Sequence, residues 1–149
     1  EGSGDGGDRG MEEAVTKDYS GTPLHKKLGI KEGRKVAVVN EPDGFFDTLG
    51  AVPESVRFYE RATRPLDLIV YFSDELANIT RRVPVFAKFI ASDGALWVCY
   101  PKKSSKRPTD ASFESVQRVG LDAGLVDNKS AAIDETWTAL RFVYRLKDR

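Results

Sequence analysis

Residues 66–105 contain the feature that most constrains the fold, two apolar runs joined by an amphipathic segment. The first run, LDLIVYF at 66–72, is nearly continuous, which predicts a strand covered on both faces. Asp93-Gly94 predicts a turn before the second run, ALWVCY at 95–100. The segment between the runs has apolar residues at helical spacing: Leu76, Ile79, Val83, Phe86 and Ile90. We therefore predict two adjacent central strands of a parallel sheet, connected by a helix that Pro84 kinks or breaks.

Composition limits the classes of protein that the chain can belong to. The 149 residues suffice for one domain, and the 23 basic and 23 acidic residues balance, so no net field favours nucleic acid or a membrane. The only cysteine, Cys99, lies in an apolar run and is expected to act as a small hydrophobe. No apolar run approaches the roughly 20 residues of a membrane span. Together with the single cysteine, this predicts a cytoplasmic protein.

The remaining segments complete the predicted order of elements. Residues 1–18 are expected to be a disordered leader or an expression remnant, and 19–149 a single domain. Short strands are predicted near 36–40 and 56–59, separated by a short helix, and a terminal hairpin at 126–146. Thr109 or Asp110 is the expected N-cap of a helix in which Phe113, Val116, Val119 and Ala123 share one face.

This order predicts the fold class. Right-handed crossovers place the helices on both faces of a mostly parallel sheet of about six strands. The hairpin makes the last strand antiparallel, with Leu140, Phe142, Tyr144 and Leu146 on one side. We predict an α/β fold, a three-layer Rossmann-like domain.

Several segments resemble known families. LGIKEGRKVAVVNEPDG lies where class I methyltransferases have their first strand and glycine-rich turn, and the final hairpin matches the end of that fold. YSGTPLHKKLGIKEGRKVAVVNEPDGF, GALWVCYPKKSS and GLVDNKSAAIDETWTALRFV are similar to the bacterial family of unknown function DUF3052. This resemblance implies a small Rossmann-like domain, similar to the S-adenosylmethionine-dependent methyltransferases, without an assigned activity.

The turn after the first predicted strand departs from the pattern of working methyltransferases. It reads Asn40-Glu41-Pro42-Asp43-Gly44, with a single glycine where the backbone must approach the cofactor. Glu60, after the second strand, could replace the acid that holds the cofactor ribose. The resemblance therefore implies a degenerate scaffold that binds a ligand without catalysis. The alternative is a minimal S-adenosylmethionine-dependent methyltransferase or related transferase, and the cofactor is unknown.

Ligands of open parallel sheets bind at the carboxyl ends of the strands, and this rule selects the candidate ligand-binding residues. They are Asn40, Asp43, Gly44, Lys102, Lys103, Ser104, Ser105, Asp134, Glu135 and Trp137. The basic loop 102–107 could hold a phosphate or another anion. We therefore expect a small anionic or nucleotide-like ligand. Nucleic-acid binding would depend on this loop alone and is not favoured, while a protein partner or homo-oligomer is left open.

Alternatives stay open for this basic loop and for the DETW segment. Lys102 and Lys103 either pair with Asp134 and Glu135 or face them across a cleft, and the cleft is slightly favoured. Trp137 either caps the core or stacks on a planar ligand.

No catalytic or metal site can be assigned from the sequence. His25 is the only histidine, so a surface or capping role is expected rather than metal binding. Every serine would have to recruit this one histidine, and no catalytic set is assigned.

Overall fold

The computed structural model describes residues 21–149, which form a six-stranded sheet with four α-helices and a short 3₁₀ helix. The predicted leader at 1–18 lies outside the described residues. The elements are α1 Leu24–Leu28, β1 Lys35–Val39, α2 Phe45–Leu49, β2 Arg57–Tyr59, β3 Leu66–Phe72, α3 Leu76–Ala87, β4 Ile90–Pro101, α4 Phe113–Asp122, β5 Leu125–Ala132, β6 Trp137–Tyr144 and the 3₁₀ helix Leu146–Asp148.

The strand order is β2-β1-β3-β4-β6-β5. The pairs β1–β2, β1–β3 and β3–β4 are parallel, whereas β6 runs antiparallel to both β4 and β5. The predicted α/β Rossmann-like class is confirmed, and so is the prediction that β3 and β4 are adjacent and central. Because β6 alone reverses, the carboxyl ends of the other five strands lie at one edge of the sheet.

The side chains of β3 point alternately to the two faces of the sheet, and each face has its own hydrophobic core. Leu68, Val70 and Phe72 belong to a core that α1 and α2 cover. Ile69 and Tyr71 belong to a core that α3 and α4 cover. The continuous apolar run of β3 is therefore explained by burial on both sides, as in other parallel sheets.

The predicted turn at Asp93-Gly94 is wrong, because β4 already begins at Ile90 and runs through both residues. Ile90 is thus the first residue of a strand and not part of the helical stripe. The pairing of β3 with β4 shifts register between Leu66 and Leu68. A Cβ on Gly94 would lie 2.8 Å from the carbonyl oxygen of Asp67, so the close backbone approach at this irregularity needs glycine.

The prediction for Pro84 was a kink or a break in the helix. Helix α3 runs unbroken from Leu76 to Ala87, so the break is wrong. Pro84 is exposed, and solvent can satisfy the carbonyl that loses its helical donor. The buried stripe holds the helix on the sheet despite the missing hydrogen bond.

The predicted N-cap of α4 is also wrong. Ser112 caps this helix in a reciprocal capping box with Ser115. The Asp110 carboxylate instead accepts a hydrogen bond from the backbone N–H of Leu76 at 2.8 Å, at the start of α3. The loop between β4 and α4 is therefore tied to a neighbouring helix.

The last strand keeps most of its predicted pattern. Leu140 and Phe142 are buried against α3 and α4, and Tyr144 is partly buried there. Leu146 departs from the prediction, because it lies in the 3₁₀ helix and is 79% exposed. Among the described residues, none of the helices is both long and apolar enough to cross a membrane.

Candidate functional site

The carboxyl edge of the sheet has two halves. The half at β1 and β2 includes Asn40, Asp43 and Gly44 of the predicted site. The half at β4, β5 and β6 includes the other predicted residues: Lys102, Lys103, Ser104, Ser105, Asp134, Glu135 and Trp137. The structure therefore brings every predicted site residue to one edge, as the strand-end rule requires.

A cavity of about 430 Å³ opens at the ends of β1 and β2. A second cavity of about 260 Å³ lies beside it, formed by residues 41–47, and thus includes Asp43 and Gly44. The larger cavity is lined by aromatic and acidic side chains together with Asn40 and Val38: Glu41, Phe46, Phe58, Tyr59 and Glu60. Its volume is typical of small-ligand sites.

Two phenylalanines at this cavity are unusually accessible. Phe46 is 44% exposed and Phe58 is 37% exposed, and their rings meet edge to face with centroids 5.4 Å apart. Sequence reasoning missed their role in the site. The signal was present, because Phe45 and Phe46 are adjacent in a five-residue helix and cannot both face the core.

A chain of ring contacts connects the two halves of the edge. Phe46 contacts Phe45 with centroids 5.5 Å apart, and Phe45 contacts the Phe72 ring at 5.0 Å. Phe72 in turn meets Trp137 at 5.2 Å. The wall of the cavity is therefore continuous with the core beneath the second half of the edge.

Asn40 joins the strands between which the strand order reverses. Its backbone has φ 61°, in the left-handed region that asparagine tolerates better than most residues. Its side-chain Nδ2 donates to the carbonyl oxygen of Phe72, at the end of β3, at 2.8 Å. The turn continues through Gly44 at φ 82°, which precedes α2. The side chain of Asn40 thus joins the carboxyl ends of β1 and β3, and the larger cavity lies on the β2 side of β1.

The basic loop and the DETW segment meet, as predicted. The Lys102 N–H donates to the Thr136 carbonyl at 2.8 Å, next to the paired residues Pro101 and Trp137. Within residues 21–149, no ion pair joins Lys102 or Lys103 to the carboxylates of 134–135, so direct pairing, the less favoured of the two alternatives, is not seen there.

Asp134 and Trp137 are engaged inside the protein. The Asp134 carboxylate accepts hydrogen bonds from the N–H groups of Thr136 and Trp137, both at 2.8 Å. Arg107 lies over the Trp137 ring at 5.0 Å and forms an ion pair with Asp74 at 2.9 Å. Trp137 is buried, so its indole caps the core and Arg107 covers one face.

Burial raises the pKa of several side chains near this edge of the sheet. It raises the pKa of the Cys99 thiol well above its usual value, with a further contribution from the negative charge of Asp134. Burial also raises the pKa of the phenols of Tyr71 and Tyr100. The Cys99 thiol is thus held neutral, in agreement with its expected role as a small hydrophobe.

The described residues offer no metal centre. No group of three or more histidine, cysteine or carboxylate side chains within 21–149 could hold a metal ion. His25 Nδ1 lies 3.4 Å from the Leu49 carbonyl oxygen, which links α1 to the end of α2.

This fold is the α/β Rossmann-like fold of the class I S-adenosylmethionine-dependent methyltransferases. Magnesium protoporphyrin IX methyltransferase from Synechocystis PCC 6803 with bound SAH has a TM-score of 0.56 at 8% identity, over 82% of this chain and 78% of that chain. Fibrillarin from Aeropyrum pernix with natively bound S-adenosyl-L-methionine has a TM-score of 0.55 at 11% identity, over 78% and 69%. A SAM-dependent methyltransferase from Aquifex aeolicus has a TM-score of 0.53 at 15% identity, over 78% and 85%.

These identities show the fold alone. No protein-family model and no curated protein sequence matches the chain. The resemblance to DUF3052 therefore stays a prediction from the sequence.

S-adenosylmethionine is the cofactor that this fold implies, and the residues at the cavity fit only part of it. Glu60 lies directly after β2, where a carboxylate can accept hydrogen bonds from ribose hydroxyls. The turn after β1 fits the amino-acid end poorly, because Pro42 has no N–H to donate and the Glu41 carboxylate lines the cavity. We therefore assign no methyl-transfer step to these residues.

Proposed function

We propose that the protein is a non-catalytic binding domain that holds a nucleoside-like small molecule in the cavity at the ends of β1 and β2. The observation that supports this proposal best is the position of the cavity together with its lining. It lies at the carboxyl edge, next to the reversal of strand order, where open α/β sheets bind their ligands.

The lining residues match the parts of a nucleoside. Phe46 and Phe58 offer accessible rings against which a planar base can pack, in an offset or edge-to-face arrangement. Glu60 offers two carboxylate oxygens to the ribose hydroxyls. The cavity volume of about 430 Å³ is sufficient for a ligand of this size.

The turn after β1 supports binding rather than methyl transfer. The Asn40 side-chain amide is used in the hydrogen bond to Phe72, and Pro42 has no N–H for a cofactor carboxylate. The exposed Glu41 would repel that carboxylate as well. A minimal S-adenosylmethionine-dependent methyltransferase is the second candidate, supported by the fold and by the position of Glu60.

The second half of the edge supports a weaker proposal of its own. Lys103 and Lys106 are exposed beside Ser104, and inorganic phosphate is the simplest probe for the predicted anion site. Arg107 and Asp134 already form contacts within the protein, which leaves fewer charged groups for a ligand. We therefore rank this anion site below the cavity at β1 and β2.

Calorimetry and thermal shift with adenosine, S-adenosylmethionine, S-adenosylhomocysteine and phosphate test the proposal. A ligand that binds only the folded state must raise the melting temperature. We expect adenosine to bind and Glu60→Gln to weaken that binding by roughly tenfold, the loss of one charge-assisted hydrogen bond. Glu54→Gln is the matched control, because Glu54 is exposed just before β2 and does not line the cavity.

Two results would overturn the proposal. Absence of binding by any adenosine-containing compound would exclude a nucleoside site. Micromolar binding of S-adenosylmethionine and S-adenosylhomocysteine, much tighter than that of adenosine, would instead favour the methyltransferase alternative.

A further inference from the structure

We infer that the acidic segment 11–20 of this chain binds to a cluster of cations on the sheet face that α1 and α2 cover. The cluster, which we call the cationic face, consists of Arg34, Lys129, Arg141 and Arg149. None of these four residues lines the two cavities described above or belongs to the basic loop 102–107. The inference therefore concerns a second surface and does not depend on the proposed function.

Strand pairing places two of these cations side by side. Lys129 of β5 and Arg141 of β6 are direct partners in the antiparallel pair, so their side chains project from the same face of the sheet. Arg141 is in phase with Ala139 and Val143, which belong to the core that α1 and α2 cover. The helices α3 and α4 pack on the opposite face. The two cations therefore lie on the face of α1 and α2.

Arg34 and Arg149 complete the cationic face. The Arg34 carbonyl accepts a hydrogen bond from the first N–H of β2 at 3.0 Å, so the alternation of β1 extends to Arg34 and puts it in phase with Val36 of the same core. Arg149 Nε donates to the Tyr144 carbonyl at 3.0 Å, beside the end of β6. Burial lowers the pKa of the Arg141 guanidinium, and the positive charges of Arg34 and Arg149 lower it further.

No carboxylate neutralises the cationic face within residues 21–149. The ion pairs of Arg107 and Arg118 lie elsewhere. The Arg141 guanidinium donates to a neutral group instead, the Asn128 side-chain oxygen, at 3.3 Å. Like charges directly opposite on neighbouring strands destabilise a sheet, and Arg141 is half-buried beside Lys129. An anion supplied from outside the described residues would remove this repulsion.

The first residues of the chain carry the complementary charge. Of the 23 acidic and 23 basic residues, six acidic and two basic ones fall within 1–20, so residues 21–149 keep 17 acidic and 21 basic ones. The two parts thus have net charges of −4 and +4. Within the segment 11–20 the acids are Glu12, Glu13 and Asp18, and Lys17 is the single base.

Helix α1 brings the segment to the cationic face. The described chain begins at Gly21, directly before α1. The Leu28 carbonyl, at the end of α1, accepts a hydrogen bond from Trp97 Nε1 at 2.9 Å, and Trp97 is the β4 partner of Arg141. A helix as short as α1 is only about 7.5 Å long. Residues 12–20 can span up to roughly 30 Å, so their carboxylates reach the face.

The covalent connection favours this segment over a separate acidic partner. A tethered group has an effective concentration in the millimolar range, which a separate protein does not reach in the cell. The same carboxylates from a second copy of the chain would offer equal chemistry without this advantage. We therefore assign the cationic face to the chain's own segment.

Carbodiimide coupling of the full-length protein tests the inference. The reagent joins a carboxylate to a lysine ammonium only where the two groups touch, and mass spectrometry of the peptides identifies the pair. We expect Lys129 to couple to Glu12, Glu13 or Asp18 at least about fivefold more than Lys88 does. Lys88 is the control, because it is exposed at the end of α3, on the other face. The coupling should decrease as the salt concentration rises.

Trypsin cleavage after Lys17 gives a second readout. A bound segment is protected, so the double variant Glu12→Gln/Glu13→Gln should be cleaved several-fold faster than the wild type. This variant leaves residues 21–149 unchanged. Asp5→Asn/Asp8→Asn is the matched control, with the same change of charge outside 11–20, and its cleavage rate should be close to that of the wild type.

Two results would overturn the inference. One is equal coupling of Lys129 and Lys88, together with cleavage after Lys17 that depends on neither salt nor the two glutamates. The other is coupling only between different chains, detected after mixing isotopically light and heavy protein, which would assign the face to a second copy. Neither result concerns adenosine binding, so a failure here is distinguishable from a failure of the proposed function.

Discussion

The side-chain amide of Asn40 bonds to the backbone carbonyl of Phe72 at 2.8 Å and so joins the ends of β1 and β3. These are the two strands between which the order of the sheet reverses. Most open α/β sheets keep a crevice at this point for a ligand. Here a side chain joins the two strand ends, and a cavity of about 430 Å³ lies beside them, towards β2.

Substitution of Asn40 should reveal how much this bond contributes. Asn40→Ala loses the hydrogen bond. Alanine also lacks the polar side chain that lets asparagine adopt the left-handed backbone at φ 61°. We therefore expect the free energy of unfolding to fall by about 2 kcal/mol. Asn40→Gly also loses the hydrogen bond, but glycine adopts this backbone conformation without strain. Its free energy of unfolding should therefore fall by only about 1 kcal/mol. Urea denaturation measures both, and equal losses for the two variants would contradict a conformational role.

Gly120 should tolerate no side chain. A Cβ there would lie 2.0 Å from Cε1 of Phe142, and this ring is fully buried, so any shift that relieves the overlap must disturb the packing around it. Gly120→Ala should therefore lose about 2 kcal/mol of stability despite the better helix propensity of alanine. Phe142→Leu in the same background should recover part of this loss, in a double-mutant cycle. Additive losses would show that the two positions do not collide.

Removal of Arg107 should have a small effect on stability and a clear effect on Trp137. Its side chain is 47% exposed and that of Asp74 is 34% exposed, so Arg107→Ala should cost about 1 kcal/mol or less. The emission of Trp137 should shift to longer wavelength, because one face of the indole loses its cover. Arg118→Ala is the control, since its pair with Asp122 is more exposed and touches no ring. An unchanged emission spectrum would contradict the stacking.

Stability should decrease at alkaline pH. Burial raises the pKa of Cys99, so the folded state keeps a proton that the unfolded chain loses, and the unfolded state gains stability from ionisation. The contribution is fully present below the unfolded pKa of about 8.5 and is lost as the pH rises above it. Tyr71 and Tyr100 act in the same direction near pH 10.

Denaturation between pH 7 and 10.5 measures this slope, and Cys99→Ala should flatten its first part. A thiol reagent should modify Cys99 slowly until the protein unfolds, because the side chain is buried. Rapid modification of the folded protein would show that the thiol is accessible.

The double variant Lys102→Ala/Lys103→Ala tests the second half of the edge. No ion pair of these lysines is seen within 21–149, so stability should change by less than about 0.5 kcal/mol. Adenosine binding should be unchanged and any phosphate binding should be lost. A large loss of stability, without any ligand for this loop, would favour a purely structural role.

The sequence predicted the centre of the fold well. The nearly continuous apolar run at 66–72 is followed by a helical stripe and by a second apolar run. This pattern requires strands that are buried on both faces, and few architectures other than a parallel sheet provide such burial. The same reasoning failed at Asp93-Gly94, where a turn dipeptide lies inside β4. Local turn preference was overridden there by strand pairing with β3, which the sequence does not display.

The sequence placed the loops of the predicted site at one edge of the sheet, but it did not show which contacts their side chains make. The strand-end rule selects loops from the order of the elements, so it placed Asn40 and Lys102 at the same edge. It could not show that the Asn40 side chain would bond to Phe72, or that Arg107 would cover Trp137. These contacts join residues about 30 positions apart, and they depend on which strands are neighbours.

By itself, then, the sequence determined the elements and the faces that they bury, because periodicity records burial directly. Only the tertiary structure decided which polar and aromatic groups remain accessible. The sequence predicted a short helix and a strand here without showing that Phe46 and Phe58 would be exposed. The short α2 and the edge strand β2 leave both rings open beside Glu41 and Glu60. The physical reason is that exposure depends on how far each layer extends over the sheet, and that extent is set by packing between distant segments.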